Sequence, residues 1–370
     1  MILCADPKAQ YLARKEKIDE AIRRVLDSGW YINGPEVAAF EMELAHSVGT
    51  AHALGVGNGT EAIHLALVAL GVKAGDEVVT VSHTAVATVA AIRQAAATPV
   101  FADVDPISMT MSPKSLEQRL SSRTKAIVVV HLYGCPADMD AILAISNRYG
   151  IPVVEDCAQA QGATHRGRSV GSLGAIGCFS FYPTKNLGAL GDGGAVTSSD
   201  TELYARCKML REYGWDDKRN SQSQGWNTRL DELQAAILRA KLPFLAESNN
   251  ARVRIAATYR AALGNLPLTL PHCAEHQTHV YHLFVLRTTK RDKLLAHLHS
   301  HNIMAGVHYT VPAHLQPGFA NASVPLPETE QAVMEVLSLP MYPELSETNI
   351  KTVTRAVREF HSSGANGHPA

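Results

Sequence analysis

Apolar strands that alternate with helices are the feature that most constrains the fold of this chain. Residues 126–132 read Ala-Ile-Val-Val-Val-His-Leu, a run typical of a parallel strand covered by helices on both faces. Further strands are predicted at 52–56, 77–81, 98–104 and 152–156. Helical periodicity lies between them, at 60–70, 84–96, 112–120 and 137–149. This alternation predicts an α/β fold with a mostly parallel sheet.

The segments outside this alternation predict how the chain divides into domains. Helices are predicted at 8–26, 36–48, 200–211, 229–241, 251–263, 291–300 and 348–362, with one more strand at 281–286. A chain of 370 residues is too long for one small core. We therefore expect a large domain over 1–265 that begins with a helical segment, and a smaller C-terminal α+β domain over 266–370. Residues 213–226 are predicted to be a surface loop and 363–370 to be frayed.

Composition argues against several classes of protein. The formal net charge is −1 and no basic block is present, so nucleic acid is not an expected partner. No run of about 18 apolar residues indicates a membrane span. The 6 cysteines form no CxxC pair and have no zinc-site spacing, so no metal site is predicted. They indicate free thiols in a cytoplasmic protein.

A glycine-rich turn at 55–61, Gly-Val-Gly-Asn-Gly-Thr-Glu, joins a predicted strand to a predicted helix. Backbone N–H groups at such a helix N-terminus, together with the Thr60 hydroxyl, can bind a phosphate. The alternative of a dinucleotide fingerprint is weaker, because Thr60 stands where its third glycine would be. Asp76 and Glu77 also precede the next strand, whereas a ribose-binding acid would follow it. The turn alone leaves a phosphate site and a purely structural turn equally open.

Asp156 and Lys185 add a second and a third chemical feature. Asp156 ends an apolar strand at the sheet edge where α/β enzymes bind ligands, although capping the next helix is the commoner role of such a residue. Lys185 follows Phe179, Phe181 and Tyr182 and precedes a glycine-rich segment, and desolvation there would favour its neutral amine. Together the features predict pyridoxal 5′-phosphate, with the acid on the pyridine nitrogen and the lysine as Schiff base.

In their order and wording, these segments resemble the DegT/DnrJ/EryC1/StrS family of sugar aminotransferases. The resemblance extends over residues 29–343. It rests on residues 57–62, 131–134, 155–159, 179–186, 227–234 and a late block at 308–317. It implies the fold-type-I architecture of pyridoxal-phosphate enzymes, with a large cofactor-binding domain and a smaller C-terminal domain.

The resemblance also implies a role for individual residues. Lys185 would hold the cofactor covalently and move the proton between substrate and cofactor carbons, while Asp156 would pair with the pyridine nitrogen. Gln159 would lie near the ring face and the phenolic oxygen. Asn227 would reach the phosphate from the other subunit, so that a homodimer would share its active sites. The remaining phosphate contacts would come from Gly59, Thr60, Glu61 (through its main chain) and Ser180.

Two positions bear on how far the family pattern carries over. Relatives usually stack an aromatic residue on the cofactor ring where this chain has Ala85, and we expect His83 to supply the flat surface instead. Relatives that dehydrate deoxysugars carry histidine at the position of Lys185, so the lysine favours transfer of an amino group. Candidate substrate contacts, each with an ordinary packing or surface role as its alternative, are Tyr31, Tyr182, Arg229, His308 and Tyr309.

The predicted function is transfer of an amino group from L-glutamate to a keto group of a nucleotide-linked 3-keto-6-deoxyhexose, with dTDP as carrier. The product would be a deoxyamino sugar of a lipopolysaccharide or antibiotic. The choice of carbon 3 rests on the similarity of residues 281–286 and 339–343 to members acting on such sugars, and a 4-ketosugar or another keto sugar stays open. A nicotinamide-dependent dehydrogenase lacks support because the glycine fingerprint is missing. A non-catalytic, cofactor-binding regulator is disfavoured by Lys185.

Overall fold

The computed structural model describes residues 1–319 and 324–363. Its larger sheet has seven strands, and two smaller sheets have three and two strands. The strands are β1 (His52–Val56), β2 (Glu77–Val81), β3 (Thr98–Ala102), β4 (Thr124–Val130), β5 (Val153–Asp156), β6 (Thr164–His165), β7 (Arg168–Ser169), β8 (Ile176–Ser180), β9 (Gly194–Ser198), β10 (Gln277–Thr278), β11 (Phe284–Arg287) and β12 (Val336–Leu339).

The order of the seven-stranded sheet is β1-β9-β8-β5-β4-β2-β3. The neighbours from β8 to β3 pair in parallel, whereas β9 is antiparallel to both β1 and β8. This confirms the mostly parallel sheet. Strand β9 was not predicted from the sequence, because it begins at Gly194 in a glycine-rich run. That glycine is required by packing, since a Cβ there would overlap the backbone of Asn58.

Helices cover both faces of this sheet. In β4, the side chain of Val128 packs in one cluster with Ile63 and Leu67, whereas the adjacent Val129 packs in another with Leu116 and Ile142. Successive residues of a strand point to opposite faces, so a strand buried on both sides has to be apolar throughout. The helices are α1 (Pro7–Ala13), α2 (Lys15–Ser28), α3 (Pro35–Val48), α4 (Gly59–Ala69), α5 (Val86–Gln94), α6 (Pro113–Arg119), α7 (Met139–Tyr149), α8 (Thr201–Arg211), α9 (Glu232–Lys241), α10 (Leu245–Leu263), α11 (Arg291–Ser300), α12 (Pro327–Glu335) and α13 (Glu347–Ser363).

The single helix predicted at 8–26 is wrong. The chain leaves helical geometry at Arg14, with φ −131° and ψ 21°, and this separates α1 from α2. Leu12 of the first helix is exposed, whereas Ile18 and Val25 of the second are buried. Residues 364–370 of the C-terminal segment predicted to be frayed lie outside the described residues.

The C-terminal elements form a cluster of their own. Strands β11 and β12 pair antiparallel, and Phe284 packs with Leu294 of α11 and Val353 of α13. Tyr259 of α10 joins the same cluster, so this core draws on residues from both sides of position 265. Within 1–319 and 324–363, none of the helices combines the length and apolar character that crossing a membrane requires.

Candidate active site

A cavity of about 480 Å³ opens where β5 and β8 end and α4 begins. Its size is that of a site for a small molecule, and its position at the carboxyl ends of parallel strands is where α/β folds bind ligands. The structure brings eight of the predicted site residues together on its wall: Gly59, Thr60, Glu61, Asp156, Gln159, Ser180, Tyr182 and Lys185.

Asp156 is a buried carboxylate held by two donors. The Thr88 hydroxyl donates to Oδ2 at 2.8 Å, and the backbone N–H of Ala158 donates to Oδ1 at 3.1 Å. Burial raises the pKa of Asp156, and these hydrogen bonds and the charge of Lys185 oppose the rise. Asp156 does not cap a helix. The bond from Ala158 closes a local turn, and the next helix along the chain, α8, begins only at Thr201. The two hydrogen bonds thus fix the position of the Asp156 carboxylate on the cavity wall.

Lys185 occupies a tight turn after β8, where its backbone N–H donates to the Tyr182 carbonyl at 2.8 Å. Desolvation lowers the pKa of Lys185 to about 8, and the negative charge of Asp156 opposes this shift only in part. An ordinary lysine has a pKa of about 10.4, so a much larger share of Lys185 is a neutral nucleophile near neutral pH. The neutral amine is the form that adds to a carbonyl.

The N-terminus of α4 faces the cavity opposite the end of β8. Asn58 caps this helix, its side chain accepting from the N–H of Glu61 at 3.0 Å. A Cβ on Gly59 would lie 2.6 Å from the Cβ of Ser180, so glycine is needed for this close approach. The Thr228 hydroxyl accepts from the N–H of Gly57 at 3.0 Å and hydrogen-bonds the Glu61 carboxylate. The N–H groups that begin α4 lie beside the hydroxyls of Thr60 and Ser180 on the cavity wall. Together they form a seat for an anion.

Gln159 connects the cavity with the late block of the chain. Its Nε2 donates to the Tyr309 hydroxyl at 3.0 Å, and its Oε1 accepts from the N–H of Tyr133 at 2.6 Å. Burial raises the pKa of Tyr309 to about 12. The pKa of the His308 imidazole is lowered, chiefly by burial and in addition by the nearby positive charge of Lys185. Both late residues are therefore close to the site.

His83 is not where the prediction requires it. Its side chain is buried, with Nε2 2.6 Å from the Tyr133 hydroxyl, and burial lowers the pKa of the imidazole to about 4. Tyr133 in turn donates to the His308 carbonyl, so His83 has to be the donor of the pair. Among the described residues it is Ala85 that lines the cavity at this point, and the His83 ring is engaged elsewhere.

Like His83, His308 and Tyr309, three more predicted residues are not part of the cavity wall of this chain. Tyr31 is half exposed and its hydroxyl donates weakly to the Leu26 carbonyl at 3.4 Å. Arg229 has Nη1 3.5 Å from Oε1 of Glu212. Asn227 is exposed on the surface. Sequence reasoning also missed Thr88 and Tyr133, since a hydroxyl within a helix and a tyrosine after a strand carry no local signal of what they contact.

Comparison with known proteins places this site in a family. The profile of the DegT/DnrJ/EryC1/StrS aminotransferase family matches residues 13–358. A dTDP-3-amino-3,4,6-trideoxy-alpha-D-glucose transaminase of Streptomyces venezuelae is 45% identical over 359 residues, which are 96% of this chain and 95% of that protein. Fold and site together define an aminotransferase of fold type I.

Solved structures agree with this assignment. S. venezuelae DesV, in complex with a ketimine intermediate, superposes with a TM-score of 0.95 at 45% identity and covers 97% of this chain and 98% of its own. NtdA of Bacillus subtilis, with bound cofactor PMP, gives a TM-score of 0.89 at 29% identity over 95% of this chain and 82% of its own. The chain belongs to the DegT/DnrJ/EryC1/StrS aminotransferase family, and its cofactor is pyridoxal 5′-phosphate.

Proposed function

We propose that this aminotransferase moves an amino group from L-glutamate to the keto group of a dTDP-linked 3-keto-6-deoxyhexose. One observation carries the proposal: Lys185 shares a single cavity with the buried acid Asp156 and the anion seat at Gly59. The similarity to a transaminase named for a 3-amino dTDP-sugar supports carbon 3 and the dTDP carrier. A 4-ketosugar is the main alternative, because the same cofactor chemistry serves either position.

The residues present suit pyridoxal phosphate, and each supports a distinct part of its binding. The seat at Gly59, Thr60, Glu61 and Ser180 would hold the phosphate through N–H and hydroxyl donors, with the N–H of Glu61 shared between the phosphate and the Asn58 side chain. Asp156 would hold the pyridine nitrogen in its protonated form by a charge-assisted hydrogen bond. When bound, the cofactor supplies an electron sink for negative charge on the substrate carbon. Lys185 would hold it covalently and, once released, carry the proton at Nζ.

The two substrates would use the same lysine in succession, so we expect ping-pong kinetics. Tyr182, half exposed on the cavity wall, and Tyr309, hydrogen-bonded to Gln159, are proposed to border the sugar. His308 would do so from the same block. Tyr31 would also contact the substrate, and Arg229 would receive a carboxylate or phosphate through its guanidinium.

We also propose a homodimer with shared active sites. Asn227 is exposed, which suits a role toward the phosphate of a second copy. Trp30 and Ile32, which flank Tyr31, are large apolar side chains that are exposed in the single chain, and exposed apolar surface of this kind favours association. We further propose that residues 266–370 form a smaller domain. A cytoplasmic location is also proposed, and the 6 free cysteines suit it.

The test is a visible absorption spectrum of the purified protein before and after L-glutamate, followed by addition of ketosugars. Loss of the cofactor's visible band on adding glutamate, and its return with a dTDP-3-keto-6-deoxyhexose but not with the 4-keto isomer, is the expected result. Return of the band with the 4-keto isomer alone would move the substrate to the alternative. A band that ignores glutamate while responding to another amino acid would replace the donor.

A further inference from the structure

We propose that Asp140, His165 and His276 bind a divalent transition-metal ion of the zinc class, away from the cavity. Asp140 lies in the first turn of α7, His165 ends β6, and His276 immediately precedes β10. One ligand atom from each lies within 4.8 Å of the other two. Two imidazoles and a carboxylate are ligands that such ions prefer.

The distance between the first two ligands is that of a chelating pair. Nε2 of His165 lies 3.1 Å from Oδ1 of Asp140, and a tetrahedral ion about 2.0–2.1 Å from nitrogen and oxygen separates its ligands by roughly 3.3 Å. Although His165 is only 2% exposed, Asp140 is the polar neighbour of its Nε2, and within the described residues that contact does not meet the geometry of a well-aligned hydrogen bond. A buried ring nitrogen that faces a carboxylate without a well-aligned hydrogen bond is unusual, and a metal ion between the two atoms would satisfy both.

The backbone brings the two imidazoles together without a ligand. Strands β6 and β10 are antiparallel, with His165 opposite Gln277, and the N–H of Arg166 donates to the His276 carbonyl at 2.7 Å. The two rings meet edge to face, with centroids 5.0 Å apart. Two of the three ligands are thus positioned by main-chain hydrogen bonds, which lowers the entropic cost of binding.

The neighbours of the site limit its affinity. Arg166 Nε donates to Oδ2 of Asp140 at 2.5 Å, which leaves Oδ1 for the ion but withdraws charge from the carboxylate. The Gln277 Nε2 lies 3.3 Å from Nδ1 of His165. A metal on Nε2 places the ring proton on Nδ1, so the Gln277 carboxamide has to turn and present its oxygen, as partners of metal-bound histidines commonly do. Since Asp140 and His276 are exposed, water can supply the fourth ligand.

A bound ion would tie the segment before β10 to α7 and β6. The ligands stand at positions 140, 165 and 276 in the sequence, too far apart to form a recognisable motif, which is why no metal site is predicted from the sequence. The consequence we expect is a higher melting temperature with the ion, since an ion that binds only the folded chain stabilises it.

The experiment is a Zn²⁺ titration by isothermal calorimetry of the cofactor-loaded protein, free of any histidine tag and of excess cofactor. Asp140→Asn and His276→Gln alter exposed side chains and should preserve the fold. The matched control is His301→Ala, because the exposed His301 and the partly buried His297 could also chelate zinc. They lie one turn apart on the chain, and their ring centroids are 4.3 Å apart.

We expect one Zn²⁺ per chain, with binding weakened at least about tenfold in both site variants, since loss of even an outer-shell partner costs that much. The His301→Ala control should bind as the unmodified protein does. The proposal is overturned by an absence of saturable binding, by site variants that bind normally, or by binding that disappears only in His301→Ala. Melting curves with Zn²⁺ should follow the same pattern, whatever substrate the enzyme uses.

Discussion

The Thr88 hydroxyl donates a hydrogen bond of 2.8 Å to Oδ2 of Asp156, and both side chains are buried. Since this proton is committed to the carboxylate, the 2.9 Å contact between the hydroxyls of Thr84 and Thr88 has Thr84 as donor. A chain of two hydroxyls thus runs from the start of α5 to the end of β5. The hydrogen bond from Thr88 favours the charged form of Asp156, whose pKa burial raises.

Thr88→Val should therefore weaken cofactor binding. The valine keeps the shape but removes a hydrogen bond to a charged group, worth about 1.5–3 kcal/mol, so we expect the dissociation constant of pyridoxal phosphate to rise about 10- to 100-fold. Titration of apoprotein by visible absorbance measures this. Thr80→Val is the control, because that buried hydroxyl donates only to the Val128 carbonyl and its loss should affect stability alone. Equal affinities in the two variants would refute the role of Thr88.

The attachment of cofactor to apoprotein should depend on pH through Lys185. Because burial lowers the pKa of Lys185 to about 8, the neutral amine increases as pH rises through that value. The rate of covalent attachment should accordingly increase up to about pH 9 and then level off, whereas an ordinary lysine would show its midpoint near about 10.4. Stopped-flow absorbance over this range measures the profile. Lys185→Arg, which keeps a charge but has no neutral amine at these pH values, should show no attachment at all.

Gly59→Ala should damage the anion seat selectively. Its new Cβ would lie 2.6 Å from the Ser180 Cβ, closer than side-chain atoms approach, so α4 and β8 have to separate. We expect at least about a tenfold loss of affinity for the cofactor, equivalent to 1.4 kcal/mol, measured by equilibrium titration. Gly318→Ala is the matched control, because no atom of the described residues lies within 4 Å of a Cβ there. If both variants bind cofactor normally, the seat at Gly59 is not the phosphate site.

Mixed dimers of Lys185→Ala and Asn227→Ala chains should recover activity that neither variant has by itself. If Asn227 acts on the site of the other copy, one of the two sites in such a dimer carries both intact residues, and purified heterodimer should show about half the normal activity. The assay is transamination by heterodimer isolated with two different affinity tags. If both residues serve the same chain's site, no intact site forms, and activity will not exceed that of the Asn227→Ala homodimer.

Local sequence patterns predicted most of the secondary structure. Strands β1 and β2 match their predicted ranges, because short runs of mostly apolar or β-branched residues between turn signals leave little choice. The break at Arg14 and the antiparallel β9 were not foreseen, since each depends on what the segment packs against. The cavity-lining position of Asp156 followed from the topology of parallel strands, whereas the burial of His83 against Tyr133 could not be read from either residue's neighbours.

By itself, the sequence determined the α/β class, the family and the chemical pair Lys185 and Asp156, because strand periodicity and short motifs are local properties of the chain. Tertiary structure alone decided which distant groups meet. Glu232 shows this: its buried carboxylate accepts the N–H groups of Gly34 at 2.8 Å, Glu36 at 2.9 Å and Val37 at 2.8 Å, nearly 200 residues away in the chain. Those N–H groups begin a helix and need an acceptor once buried. Many residues could supply one, and only the packing of α9 on α3 selects it.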